Sequence, residues 1–300
     1  MRHPKLTRYS MPDGMVLVGL PGSLPELRFI HREIFIDNTY TSHGVTIRDG
    51  DCIVDVGANV GLFSLFALDQ ACNLRIVAFE PLRPIFEALQ ANVNAIEVDC
   101  RRRGHTLTLI NAGLSSIEQT PEMTFYPNMP GNSTLHPAEK AKEAAAIAKA
   151  FRMEEVWRLD KLAFAAMLLL FPLRRQLLKI VLKHRFQSGQ RCRTHLRRLS
   201  DVLAEERVDR VDLLKIDVEG AELDVLGGLI ESDWARVKQL VMEIAPANLS
   251  HVAPLAESLR TRGFEHVVVA AMDGHARDFG ERGQGARTTI SLPKMLYAIR

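Results

Sequence analysis

Short contiguous apolar runs, several of them ending in a carboxylate or a glycine-containing turn, alternate along this chain with longer stretches in which apolar residues recur at helical spacing. The runs predict strands over Met15–Gly19, Ile53–Val56, Leu74–Phe79, Leu107–Ile110, Leu213–Ile216, Gln239–Ile244, His266–Ala271 and Met295–Ile299. The stretches predict helices over Leu62–Ala71, Pro81–Val93, Ala138–Phe151 and Leu255–Arg262, with another beginning at Glu222. Pro81 suits a helix start, where a missing N–H costs least, and Gly263 suits a helix stop. Alternation of this kind builds a parallel sheet covered by helices on both faces. The last two strands have no helix between them, which predicts an antiparallel pair at one edge.

Three segments stand outside the alternation. Leu27–Tyr40 mixes apolar and charged residues in a way compatible with helix or extended chain, and Pro121–Thr134 has the Pro, Gly and Asn content of a loop. From about 136 to 193 an insert carries further helical pattern broken at Pro172. Within it Leu162–Leu173 is apolar for twelve residues, too short to span a bilayer. Between Pro172 and Arg198 there are nine Lys or Arg and no Asp or Glu. The expected organisation is an N-terminal extension over residues 1–50 that covers substrate and cofactor, and a main domain over 51–300 interrupted by this basic helical insert. The insert suits either a lid over an apolar substrate or a solvated cap on the sheet, and its basic run suits an acidic carrier protein or an anionic lipid surface.

Composition narrows this little. At 300 residues and 47% hydrophobic content the chain can bury one large α/β core, and a net charge of +2 does not mark a nucleic-acid binder. Cys52, Cys72, Cys100 and Cys192 show neither CxxC spacing nor a disulfide framework, which fits a reducing cytoplasm. No signal-peptide core and no 18-residue apolar run is present, so a transmembrane segment is not expected.

Candidate chemistry lies at the strand ends, since ligands of open α/β sheets sit outside the carboxyl ends of the strands. Cys52–Ser64, CIVDVGANVGLFS, is a strand, a tight turn and a helix, in which Gly57 and Gly61 permit sharp backbone geometry and Asp55 can hold a polar or cationic group. Asn59 takes the middle position where dinucleotide binders place the glycine that clears a pyrophosphate, which favours a nucleoside such as S-adenosylmethionine over NAD. Glu80 ends the next strand and suits both hydroxyls of a ribose. Asn111, Ala112 and Gly113 follow the third strand, and Glu243 stands near the end of a later one. Asp217 and Glu219, in LLKIDVEGAELDVL, bracket a strand-to-helix turn and suit orienting a hydroxyl, taking its proton or holding a divalent cation. A glutamate in the first turn of a helix is equally accounted for by the helix dipole. Lys215, inside the strand, is expected to pair with a carboxylate. His136, in GNSTLHP, is a further candidate base or an exposed loop residue.

Together EIFIDNTY, DGDCIVDVGANVGLFSL, AFEP, LLKIDVEGAELDVLGGL and VMEI resemble the FkbM family of S-adenosylmethionine-dependent methyltransferases, over roughly Glu33–Arg300 apart from the insert. The resemblance implies a seven-stranded Rossmann-like class I methyltransferase sheet and methyl transfer to oxygen, usually on a secondary metabolite, polyketide-type product or sugar; with the basic run, the expected acceptor is a secondary metabolite of polyketide, peptide or glycolipid type, free or tethered to a carrier protein. It implies that Gly57, Asn59, Gly61 and Glu80 hold the cofactor, with Asn111 and Ala112 near the adenine, and that Asp217 and Glu219 face the acceptor; no metal ligands are assigned. Two other readings are a nucleic-acid methyltransferase and a non-catalytic binding protein that keeps the fold. The basic run lacks interleaved aromatics apart from Phe171 and Phe186, which disfavours the first.

Overall fold

The computed structural model describes residues 5–142, 189–271 and 294–300. Among them run strands β1 (Thr7–Ser10), β2 (Val16–Gly19), β3 (Cys52–Val56), β4 (Arg75–Phe79), β5 (Thr106–Ile110), β6 (Gly113–Leu114), β7 (Glu122–Phe125), β8 (Gln190–Arg193), β9 (Leu196–Arg197), β10 (Leu213–Ile216), β11 (Gln239–Ile244), β12 (His266–Ala271) and β13 (Lys294–Ile299). Seven of these form one sheet in the order β12-β13-β11-β10-β3-β4-β5. Its five strands from β5 to β11 are parallel, and β13 inserts antiparallel between β11 and β12.

Both faces are dry, which explains why the central strands are apolar without alternation. On β3, Ile53 points into a core shared with Phe63 and Phe66 of the helix Leu62–Gln70 and Leu89 of the helix Arg83–Ala95. Val54 and Val56 point the other way, into a core with Leu199 and Leu203 of the helix Leu199–Glu205 and with Val225 and Leu226. The strand period of two divides β4 similarly, with Ile76 and Ala78 on the first face and Val77 and Phe79 on the second.

From β3 the chain steps outward through β4 and β5, then returns to place β10 on the other side of β3. Strand order therefore reverses between β3 and β10, and the crevice at their carboxyl ends is where such sheets bind ligands.

Several boundaries depart from expectation. The proline at a helix start is Pro84, not Pro81, because the helix begins at Arg83 after Pro81 and Leu82 pass the end of β4. A helix at Glu97–Arg102 was not expected. The supposed loop Pro121–Thr134 contains β7, which pairs antiparallel with β8, a partner more than sixty residues away that local pattern does not reveal. Leu27–Tyr40 resolves into the helix Leu24–His31, a π-turn over Arg32–Ile36 and a 3-10 turn over Thr39–Thr41. The predicted helix from Ala138 is helical over 137–142, and the rest of the insert to 188, like the link between β12 and β13, lies outside the described residues.

The N-terminal segment is fastened to the sheet domain through the buried Asn92. Its Nδ2 donates to the carbonyls of Val18 at 2.9 Å and Val60 at 2.8 Å, and its Oδ1 accepts the Val18 N–H. On the far side the Tyr297 hydroxyl of β13 donates to the Thr39 carbonyl at 2.7 Å. These ties hold residues 24–41 across the crevice.

Candidate functional site

A cavity of about 1000 Å³ opens at the carboxyl ends of β3, β4, β10 and β11, beneath the N-terminal segment. One side is made by Gly57, Asn59, Glu80, Gly113 and Leu114, the other by Glu33, Asp37, Asp217, Glu219 and Glu243.

On the first side the turn after β3 is drawn tight. The N–H groups of Gly57 and Ala58 both donate to the Phe79 carbonyl, at 3.1 and 2.8 Å. Gly57 has φ +77°, and a Cβ there would stand 1.8 Å from the Asp217 carbonyl oxygen. The residue must be glycine because β3 and β10 converge there. Gly61, at φ +96°, does not line the cavity; a Cβ on it would meet Leu89 Cδ1 at 2.7 Å, so it serves helix packing. Asn59 adopts the left-handed conformation at φ +51°, its Oδ1 accepting the Val60 N–H at 2.8 Å.

Glu80 is buried at the end of β4 and lines the cavity. Its Oε1 accepts the Leu82 N–H at 2.8 Å and its Oε2 the Asn59 N–H at 3.2 Å, so the carboxylate is oriented while each oxygen keeps a lone pair. Burial raises its pKa to about 7 against the pull of those two N–H groups. Asn111 and Ala112, expected near the adenine, do not line the cavity. Asn111 Nδ2 donates to the carbonyls of Glu80 and Pro81, at 2.8 and 3.1 Å, and so steadies the carboxylate from behind.

Asp55, another residue offered for the cofactor, does not line the cavity. It is fully buried beneath the crevice, where register places it opposite Lys215. Lys215 Nζ lies 3.1 Å from Asp55 Oδ1, donates to the Gly57 carbonyl at 2.9 Å and stands 3.8 Å from Asp217 Oδ2; Ser64 Oγ donates to Asp55 Oδ2 at 2.7 Å. Asp55 therefore holds an internal cation, not a ligand. Burial pushes the Lys215 ammonium down, but Asp55 and then Asp217 outweigh it and its pKa stands above the ordinary lysine value. The rings of Tyr40 and Phe63 flank the ammonium at 5.4 and 5.8 Å.

On the acceptor side, Asp217 Oδ2 accepts the Tyr40 hydroxyl at 2.8 Å. Glu219 sits at φ +53° and its Oε2 lies 2.5 Å from Lys140 Nζ, while Thr134 Oγ1 donates to its carbonyl. The next carboxylate, Glu222, is not part of the cavity: it accepts the Gly220 N–H at 2.7 Å and Asn248 Nδ2 at 2.6 Å, closing its own turn. His136 does not line the cavity either, since its ring packs beside the Gly220 turn. Glu33, Tyr40 and Lys140 were not singled out from the sequence, although Glu33 and Tyr40 belong to the EIFIDNTY motif. Burial, then Asp217, Asp37 and Glu219, raise the Glu33 pKa to about 8, and burial followed by Asp217, Glu219 and Glu33 pushes Glu243 well above the carboxylate range. Among the described residues no cluster of His, Cys, Asp or Glu is arranged as a metal site, and no helix is long and apolar enough to cross a membrane.

The donor set fits a nucleoside: an oriented, buried carboxylate for a ribose diol stands beside a turn at the switch point, and an acidic wall opposite suits a sulfonium cation. Comparisons with known proteins bear on the family. Residues 55–267 match the family described as "Methyltransferase FkbM domain". The chain is 34% identical over 269 residues to the 31-O-demethyl-FK506 methyltransferase FkbM of Streptomyces tacrolimicus, covering 88% of this chain and 90% of that protein. It is 34% identical over 249 residues to the methyltransferase sdnD of Sordaria araneosa, covering 80% and 83%. It is also 34% identical over 260 residues to the AMB antimetabolite synthetase AmbE of Pseudomonas aeruginosa, covering 85% of this chain but only 11% of that much longer protein. With its seven-stranded Rossmann-like sheet of class I methyltransferases and these relatives, the chain belongs to the FkbM methyltransferase family.

Proposed function

We propose that the protein is an S-adenosylmethionine-dependent O-methyltransferase acting on a hydroxyl of a small secondary metabolite, free or tethered to an acyl or peptidyl carrier protein. The carrying observation is one cavity at the switch point with an oriented, buried Glu80 on one wall and Asp217 on the other. Glu80, Gly57 and Asn59 would hold the nucleoside, while Asp217 and Glu219 would face the acceptor. When bound, S-adenosylmethionine supplies an electrophilic methyl group that an acceptor oxygen takes as the carbon–sulfur bond breaks, leaving a neutral thioether.

What the chain itself contributes is placement. Lys215 ties the Gly57 carbonyl of the donor turn to Asp217 on the acceptor wall, so the two halves are held in one register. FkbM of Streptomyces tacrolimicus is named for a 31-O-demethyl substrate and AmbE for an antimetabolite, which supports a hydroxyl acceptor in secondary metabolism. The carboxylates of Asp37, Asp217 and Glu219 disfavour a polyanion in the acceptor half, and so disfavour nucleic acid. The test is transfer of labelled methyl from S-adenosylmethionine to a panel of polyketide, peptidyl and sugar alcohols, read as products one methylene heavier. Tight binding of S-adenosylmethionine with no transfer to any member of a broad panel would support a binding protein instead.

A further inference from the structure

Asp217 and Glu219 are the two carboxylates the sequence offers as acceptor-side bases, yet both are engaged. Asp217 Oδ2 accepts the Tyr40 hydroxyl at 2.8 Å and faces the Lys215 ammonium, and Glu219 is held by Lys140 at 2.5 Å. The oxygens that those contacts occupy are not open to an acceptor hydroxyl. Glu33 differs: it lines the same cavity, is half-buried, and its carboxylate makes no hydrogen bond among the described residues. It is carried on a π-turn, closed by the Asp37 N–H donating to the Arg32 carbonyl at 2.9 Å, and such turns recur at functional sites.

We propose, on the methyl-transfer reading above, that Glu33 is the general base: its carboxylate, brought into the cavity by the π-turn, takes the proton of the acceptor hydroxyl. The acceptor O–H bond breaks, its electron pair stays on the oxygen that forms the new carbon–oxygen bond, and the proton passes to Glu33 and then to water. Asp217 orients the hydroxyl through the Oδ atom that Tyr40 leaves free. The groups facing Glu33 are Asp37 on its own segment, itself 3.5 Å from Arg32, together with Tyr40, Asp217 and Glu219 after β10, and Glu243 on β11. Their charges and burial place the Glu33 pKa at about 8, close to the pH at which a base works best. Burial, then Asp217, Glu219 and Glu33, also push Glu243 well above the carboxylate range.

The test uses the full chain with S-adenosylhomocysteine bound and carbon-13 in the glutamate side chains. Wild type is expected to show a carboxyl resonance titrating near pH 8 that disappears in Glu33→Gln and moves acidward by about one unit in Asp217→Asn. If that resonance survives in Glu33→Gln, or vanishes only in Glu243→Gln, the proposal is overturned without any acceptor being needed. With an alcohol that the wild type methylates, Glu33→Gln is expected to lower kcat by about 10²–10⁴-fold while the affinity for S-adenosylhomocysteine changes less than about threefold. A variant within threefold of wild-type turnover overturns the role of Glu33 and leaves the methyltransferase reading standing. A wild type that binds S-adenosylmethionine and methylates no alcohol overturns both.

Discussion

Glu80 illustrates how one side chain acquires a function from two backbone contacts. A glutamate at a strand end is unremarkable until N–H groups from Leu82 and Asn59 fix both oxygens and burial raises its pKa to about 7. Glu80→Gln replaces one acceptor oxygen with a donor beside a backbone N–H. It is expected to weaken S-adenosylhomocysteine binding by about 10–100-fold, the worth of a charge-assisted hydrogen bond of about 1.5–3 kcal/mol. Calorimetric titration decides this, and an affinity within threefold of wild type would remove Glu80 from the donor site. Asp217 makes the complementary case. Asp217→Asn keeps the shape but loses the charge that faces Lys215, and is expected to lower turnover by at least about 100-fold with donor affinity within a fewfold. Single-turnover methyl transfer at wild-type rate would take Asp217 out of the mechanism.

At the scale of elements, the pairing of β3 with β10 carries the design. Register sets Lys215 opposite Asp55 in the dry interior, and the Lys215 ammonium reaches the Gly57 carbonyl. Such a pair stabilises little by itself, yet removing one member strands the other. Lys215→Met is therefore expected to cost about 3–5 kcal/mol, with Asp55 left buried beside Ser64, whereas Asp55→Asn with Lys215→Met recovers most of the loss. Urea denaturation of the two single variants and the double variant forms a thermodynamic cycle, and simple additivity of the single losses would show that the pair is not coupled. The presence of a pairing lysine was legible in the sequence because a cation inside an apolar strand needs a partner. Its identity was not, because only the sheet's register chooses between Asp55, Asp217 and Glu243.

For the whole molecule, the cavity holds glutamates whose protons are retained to higher pH than in the unfolded chain. Glu33 rises from an ordinary value of 4.5 to about 8 and Glu80 from 4.5 to about 7, so the folded chain binds more protons than the unfolded chain between those limits. Raised values of this kind contribute stability that is complete below about pH 4.5 and is lost as the pH climbs through 7 and 8. The ligand-free protein is expected to lose on the order of 2–3 kcal/mol between about pH 5 and pH 8, allowing for solvent screening. The urea midpoint should fall across that range, and fall less in Glu33→Gln; a midpoint that rises with pH would contradict the assignment. Asp13 and Asp212, held below the ordinary range by their partners although burial opposes it, act in the other direction and only at more acid pH.

The apolar runs and their spacing determined the sheet's strands, its two covered faces and the rim of strand ends, because strand and helix periods are local properties of a chain. They also marked Gly57, Asn59, Glu80, Asp217 and Glu219 as residues of that rim, which all line the cavity. What only the tertiary structure decided is which rim residues look outward. Asp55 turns under the crevice to meet Lys215, Gly61 answers to Leu89, Asn111 braces Glu80 and His136 lies beside Gly220, since each orientation depends on a neighbour distant in the chain. Glu33 enters the site for the same reason. Nothing in its own segment shows that the π-turn will be tied across the carboxyl ends of β10 and β11, and that closure makes it a partner of Asp217.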